Sequence, residues 1–348
     1  MDMFKKIEFR YTDDNSVGLY SKKVKDIFHS QTGAFKEAYD KFYLPALVLL
    51  KESNSKINLL DICYGIGYNT KTFLDQTKNF AIQIDALEYD KEFVLLSPLI
   101  EDNINNDLLK IKIILQIIKS KEDILAYKSL ISYLENSDYI QFLSPHIIEF
   151  IKKLTNIPYK NTGTLEINEF LHNIYYNYIS YNNIYRQESN NYKEFKINYY
   201  YGDARKTINN TNNLYDIVFL DAFSSQKDPT LWTIDFLSLI KNKMKDNSIL
   251  ISYSKSTPFR SALIELGFFV GKTFIDNSDM GTIASKNKNL IINPLSDYDF
   301  QLINTRSGIT YKDPLLSFDS STILLNRDLE SKTSNRISRT QFLKLSNK

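Results

Sequence analysis

The run Leu59-Leu60-Asp61-Ile62-Cys63-Tyr64-Gly65-Ile66-Gly67-Tyr68-Asn69-Thr70 limits what this chain can become more than any other stretch. An apolar strand from Ile57 to Ile62 enters a tight glycine turn, and the pattern predicts a helix from Asn69 to Gln76. Backbone amides then converge just past a strand's carboxyl end, where open α/β sheets take up ligands. Gly65 and Gly67 supply positive φ or a close backbone approach. About twenty residues later a second strand, Phe80 to Leu87, ends on Glu88, an acid placed to accept both hydrogen bonds of a ribose diol. A glycine turn and one acid also describe an ordinary strand-to-helix connection, so these residues alone leave both readings open.

Two later segments narrow the choice. Tyr199-Tyr200-Tyr201-Gly202-Asp203-Ala204 reads as a strand ending in Gly-Asp-Ala, and Tyr215-Asp216-Ile217-Val218-Phe219-Leu220-Asp221-Ala222-Phe223 as a buried strand ending in Asp-Ala-Phe. Asp61, Glu88, Asp203 and Asp221 thus each stand at a strand end, and in a parallel sheet all would face one rim. Further strands are expected at about 248 to 253, 268 to 274 and 280 to 286, with a helix from Pro229 to Lys243 that carries Trp232 in its first turn.

Between Glu88 and Lys196 the strand-helix alternation stops. Phe93 to Tyr133, His146 to Leu154 and Leu165 to Tyr185 repeat apolar residues at helical spacing, with breaks at Asn136-Ser137-Asp138, Ser144-Pro145 and Pro158 to Thr164. The expectation is an inserted helical subdomain. Its tyrosine-rich run, Tyr175 to Arg186, either walls a cleft in which aromatics stack on an unstacked base or packs the insert against the sheet. Ahead of the sheet, residues 8 to 30 read as a hairpin turning at Asp13-Asp14-Asn15-Ser16, followed by a helix from Gly33 to Lys51. The hairpin either overlies the ligand site or caps the sheet. Residues 287 to 348 are polar and end in Arg327, Lys332, Arg336, Arg339, Lys344 and Lys348. That tail is expected either to track phosphates or to be solvated and partly disordered. The resulting division is 1-50 as hairpin and capping helix, 51-95 with 195-290 as sheet core, 96-194 as insert and 291-348 as extension.

Composition adds exclusions. A net charge of +2 gives no electrostatic case for nucleic acid by itself, and the 24 tyrosines accompany a general richness in Asn, Lys and Ile. One cysteine, Cys63, allows no intrachain disulfide, and three scattered histidines, His29, His146 and His172, make no metal set. The amino terminus lacks a signal-peptide core, and no apolar run approaches the ~20 residues that span a bilayer, so no membrane association and a cytoplasmic location are expected.

The ordered motifs resemble class I S-adenosylmethionine-dependent methyltransferases. Within that group, Leu220-Asp221-Ala222-Phe223-Ser224, Asp228-Pro229-Thr230-Leu231-Trp232-Thr233, Ser252-Tyr253-Ser254, Phe259 to Leu263, Gly267-Phe268 and Gly281 to Ser285 look like the methyltransferase domain of the MnmC family. Leu19-Tyr20-Ser21, His29-Ser30, Gly33-Ala34, Glu37-Ala38, Phe42 and Tyr311-Lys312-Asp313-Pro314 match as well. The likeness covers residues 8 to 95 and 195 to 315. It implies an α/β, Rossmann-like sheet with S-adenosyl-L-methionine as cofactor, and methylation of the 5-aminomethyl group on the wobble uridine of tRNA. The partners implied are the tRNA anticodon loop and the enzymes that make the 5-aminomethyl group. Nothing in the chain resembles the FAD-dependent oxidoreductase half of the larger family members.

By the same resemblance Asp221 aims the amine and takes or relays its proton, Glu88 holds the ribose, and Asp203 with Ala204 holds the adenine edge. Gly65 and Gly67 approach the methionine part, with Asp61, Tyr64 and Asn69 around that turn, and Phe223 and Tyr253 shape the amine pocket. The chain departs from the pattern at Cys63, where glycine is usual, at Ser225, where proline is usual, and at Lys245-Asp246-Asn247-Ser248, which replaces a Pro-Gly-Gly turn. An aminopropyltransferase or other small-amine methyltransferase, and a non-catalytic RNA-binding module, are the competing expectations.

Overall fold

The structure of the protein, a computed structural model, describes residues 5–22, 26–27, 32–51, 56–77, 79–104, 106–156, 171, 173, 175 and 194–346. His29, Ser30, His172, the break from Pro158 to Thr164 and, apart from Leu171, Asn173 and Tyr175, the expected helix from Leu165 to Tyr185 lie outside the described residues, as does the tyrosine-rich run from Tyr176 to Arg186. In chain order the strands are β1 Ile7–Tyr11, β2 Val17–Ser21, β3 Asp26–Ile27, β4 Lys56–Ile62 and β5 Ala81–Glu88, then β6 Phe195–Tyr201, β7 Tyr215–Leu220, β8 Met244–Ser252, β9 Phe269–Ile275 and β10 Ser278–Ser285. The chain forms two compact units, Met1–Tyr39 with Tyr64–Tyr199, and Asp40–Cys63 with Tyr200–Lys348.

In the first unit, β1 and β2 form the expected antiparallel hairpin, Ile7 facing Ser21 and Tyr11 facing Val17, and β3 extends it to three strands. Its turn caps a helix. Ser16 Oγ accepts the Ala34 N–H at 2.8 Å and Asp14 Oδ2 the Lys36 N–H at 2.9 Å, satisfying amides that a helix start leaves without intrahelical partners. The Tyr68 hydroxyl joins the hairpin to the helix Tyr68–Gln76, bonding both the N–H and the carbonyl of Val17 at 3.1 Å. Within that helix Lys71 is fully buried, its Nζ 2.7 Å from Asp102, which also takes Lys110 at 2.9 Å. Desolvation pushes the Lys71 ammonium's pKa down, and the pairing with Asp102 opposes it. After β5 the chain is helical as expected, with helices at Lys91–Leu96, Asp107–Ile117, Lys121–Glu135 and Pro145–Thr155. Ile111, Ile114, Ile147, Phe150 and Leu154 are buried in them. β5 and β6 are neighbours, and Asn198 Nδ2 donates to the buried Asp85 at 2.7 Å.

The second unit holds five neighbouring strands in the order β4-β7-β8-β10-β9. β4, β7 and β8 are parallel, and β10 runs antiparallel to both β8 and β9. Ile57, Leu59, Leu60 and Ile62 are buried, and so are Ile217 to Leu220 and Ile249 to Ile251, the continuous apolar runs of strands covered on both faces. The cover comes from the helices Leu44–Leu50, Ile234–Lys243 and Thr257–Glu265, which bury Leu49, Phe236, Leu237, Phe259 and Leu263.

Several expectations are corrected. The helix predicted from Gly33 to Lys51 carries a π-helical turn at Tyr39–Tyr43, just before Pro45. A proline has no N–H to continue the ladder and its ring crowds the carbonyl four residues back, which a widened turn relieves. Trp232 lies not in the long helix but in a separate 3-10 turn, Thr230–Trp232, because Thr233 caps the helix that starts at Ile234. The polar tail is not loose. It forms helices at Asp297–Ile303, Ser320–Thr333 and Arg339–Ser346, and two of its cations, Arg327 and Arg336, donate to backbone carbonyls within the chain. Arg327 donates to the carbonyls of Ile309 and Ser307 at 2.7 and 3.1 Å and lies 4.8 Å over the Tyr311 ring. Among the described residues no helix is long and apolar enough to cross a membrane, and no group of three or more acids, histidines or cysteines is placed to hold a metal.

Candidate active site

The first unit carries the glycine turn. Gly65 and Gly67 have φ of 56° and 75°, so both occupy the left-handed region, and Gly67 caps the helix that begins at Tyr68, with Asn69 buried in its first turn. A Cβ on Gly67 would run into the Tyr64 and Ser97 hydroxyls, which lie 3.0 Å from each other. Cys63, where the family pattern has glycine, adopts φ 67°, so the backbone keeps the glycine conformation without the glycine. Glu88 meets this turn directly. Its Oε2 accepts the Gly65 N–H at 2.7 Å and its Oε1 the Asp90 N–H at 3.0 Å. Burial pushes the Glu88 carboxyl above its ordinary 4.5, against the lowering effect of the Asp90 and Gly65 amides. Tyr64, Gly65, Gly67 and Glu88 therefore form one connected set, and the Tyr64 ring meets Tyr199 edge to face at 5.3 Å.

The second unit carries the remaining acids. Asp61 is fully buried near the end of β4 and pairs in register with Phe219 of β7. Two residues on, the Asp221 N–H donates to the Ile62 carbonyl at 3.2 Å, which places both acids at the carboxyl ends of adjacent parallel strands. The loop after Asp221 is braced from two sides. Tyr253 donates its hydroxyl to the Ala222 carbonyl at 2.8 Å, and Trp232 Nε1 donates to the Phe223 carbonyl at 2.7 Å. Ser224 then turns the chain by accepting the Lys227 and Asp228 N–H groups at 2.8 and 2.9 Å. Tyr253, expected to shape a pocket, thus also holds the backbone of the loop that carries Asp221.

Asp203 caps the short helix Ala204–Thr207, accepting the Arg205 N–H at 3.0 Å, and the Arg205 guanidinium grips both its oxygens. Burial raises this carboxyl, and the Arg205 hydrogen bonds and charge more than reverse it, leaving Asp203 below its ordinary 3.8. Sequence reasoning missed Arg205, and it missed the bracing role of Trp232. The Asp-Pro-x-Leu-Trp motif marked the tryptophan without showing what its N–H would meet.

The first unit thus sets left-handed glycines beside the buried Glu88 at a helix amino terminus, and the second places Asp61 and Asp221 at adjacent strand ends.

Comparisons with known proteins agree. The model of a family described as S-adenosyl-L-methionine-dependent methyltransferase matches residues 165–279. The uncharacterized protein MJ0670 of Methanocaldococcus jannaschii is 30% identical over 319 residues, covering 91% of this chain and 70% of that protein. The crystal structure of MNMC2 from Aquifex aeolicus superposes with a TM-score of 0.61 at 24% identity, over 94% of this chain and 84% of that one, and shows the same fold. The chain therefore belongs to the S-adenosyl-L-methionine-dependent methyltransferases, as a methyltransferase domain of the MnmC family with S-adenosyl-L-methionine as its cofactor.

Proposed function

We propose that the protein methylates the 5-aminomethyl group of the wobble uridine, position 34, of tRNA, giving 5-methylaminomethyl(-2-thio)uridine. The observation that carries this reading is the braced loop Asp221-Ala222-Phe223-Ser224. A carboxylate at a strand end, with the next two carbonyls tied by Tyr253 and Trp232, is a rigid acceptor for an amine. Support also comes from the MNMC2 likeness and from the ordered motifs around that loop. The enzymes that make the 5-aminomethyl group would supply the substrate.

When bound, the cofactor supplies a methyl group made electrophilic by a sulfonium. Glu88 would accept its ribose hydroxyls, Asp203 and Ala204 its adenine edge, and the turn at Tyr64, Gly65 and Gly67, with Asp61 and Asn69, its amino-acid end. The amine must be neutral to attack, and a nearby carboxylate favours its ammonium form. Asp221 therefore acts by orientation, accepting one amine N–H so that the lone pair points along the transfer path. Asp221 would then take or relay the proton released from the methylated nitrogen. Phe223 would bound the pocket and exclude water. The wobble base sits in a single-stranded loop, so presenting it costs less than extracting a base from a duplex.

The aminopropyltransferase and non-catalytic readings are less economical, since the family model is that of a methyltransferase and both turn glycines and Asp221 are present. The test is transfer of labelled methyl to tRNA from cells lacking this protein, followed by nucleoside mass spectrometry. One methyl gained on 5-aminomethyluridine is expected. With Asp221→Asn the rate should fall roughly 10²- to 10⁴-fold, the span of a positioned proton acceptor, while S-adenosylhomocysteine still binds. Absence of transfer to tRNA alongside tight cofactor binding would overturn the substrate assignment.

A further inference from the structure

Arg205 is held at both ends by carboxylates. Its Nε and Nη2 donate to Asp203 Oδ2 at 3.1 and 2.7 Å, and its Nη1 donates to Asp313 Oδ2 and to the Phe318 carbonyl, both at 2.8 Å. Asp313 is fully buried and 108 residues away in sequence. Its other oxygen accepts the N–H groups of Ser317 and Phe318 at 3.0 and 3.1 Å, and its own N–H donates to Asp235 at 2.6 Å. Two residues earlier the Tyr311 carbonyl accepts the Ile234 N–H at 2.9 Å. The segment from Tyr311 to Phe318 is therefore anchored to the sheet unit at points that do not involve Arg205.

Neutralising Asp203 would need one cation and nothing more. Here the cation is itself clamped by a second, buried carboxylate, so the arrangement fixes where the Asp203 oxygens lie as well as their charge. An aspartate that follows Gly202, at φ 117°, would otherwise sample several rotamers, and freezing them before a ligand arrives removes that cost from binding. Asp203 faces Arg205 through both oxygens, which leaves a defined set of lone pairs for a ligand donor.

We propose that Arg205 and Asp313 are positioning residues for the cofactor, through which the carboxyl-terminal segment sets the orientation of Asp203 and with it the affinity for the cofactor's adenine end. The inference rests on the assignment of Asp203 to that end.

Asp313→Asn tests it selectively. Asparagine keeps an oxygen for the Ser317 and Phe318 amides and turns an NH₂ group toward Arg205, so only the Arg205 contact is lost. Arg205→Lys is the second variant, because an ammonium cannot bridge both acids with the same geometry. In the full chain, S-adenosylhomocysteine binding is measured by calorimetry, and KM for S-adenosyl-L-methionine and kcat by methyl transfer. Both variants should weaken Kd and raise that KM roughly tenfold, the scale of coupling within one ion network, with kcat at saturating cofactor retained. Unchanged cofactor affinity in either folded variant, while Asp203→Ala weakens binding, overturns the proposal. So does a matching fall in kcat, which would mark general damage. If Asp203→Ala itself leaves binding intact, the adenine-edge assignment fails first, and the inference falls with it.

Discussion

Trp232 Nε1 donates to the Phe223 carbonyl at 2.7 Å while the indole meets Phe259 edge to face at 4.9 Å. The ring is fully buried, so the bond ties the loop after Asp221 to the packed interior of the sheet unit. Trp232→Phe keeps most of the packing and removes the donor. We expect a stability loss of about 1–3 kcal/mol, the cost of leaving a buried acceptor unmade, read from urea unfolding. The fall in kcat should be larger than the change in cofactor affinity, because the loop relaxes on the amine side. Equal kcat in mutant and parent would show that the bond serves folding alone.

Gly67→Ala should fail twice. The left-handed φ of 75° penalises any side chain by about 1–2 kcal/mol, and the added methyl meets the Tyr64 and Ser97 hydroxyls. Cofactor binding, measured by calorimetry on whatever fraction folds, should be lost, since the turn cannot keep its backbone path. Retained affinity would mean that the turn shifts without touching the ligand.

Glu88 should make cofactor affinity depend on pH, through a carboxyl that burial pushes above its ordinary 4.5. Its pKa is raised by burial, so in the folded protein it takes up a proton above 4.5, and a protonated carboxyl offers fewer acceptors to a diol. Kd for S-adenosylhomocysteine should therefore weaken as pH falls toward that raised value, and Glu88→Gln should flatten the curve. For stability the sign is opposite. A raised folded pKa contributes stability below 4.5 that is lost as pH rises through the folded value, so cofactor binding and this group's share of stability should move against each other. A pH-independent Kd in the parent would refute the assignment of the ribose to Glu88.

The glycine turn of the candidate site was legible because its signal is local. Gly65 and Gly67, three and five residues past the strand that ends at Ile62, and Glu88 at the end of the next strand mark a turn and an acceptor through local backbone geometry. The Gly65 amide on Glu88 follows from that arrangement. The tail misled because polar composition reports low hydrophobic burial, whereas its order comes from hydrogen bonds such as Arg327 on Ile309 and Ser307. The π-helical turn before Pro45 was likewise hidden, since apolar spacing tolerates one extra residue per turn.

By itself the sequence determined the elements: apolar runs that must be covered on both faces, a glycine turn between strand and helix, and acids where strands stop. These depend on neighbours within a few residues, where pattern and propensity act. Only the tertiary structure decided which partner each polar group meets. Arg205 lies between Asp203 and Asp313, 108 residues on, Trp232 reaches the Phe223 carbonyl, and Tyr253 reaches across 31 residues to Ala222. A donor's partner is set by the path of the folded chain, because burial removes water as an alternative and leaves each donor to the acceptor that packing brings within reach.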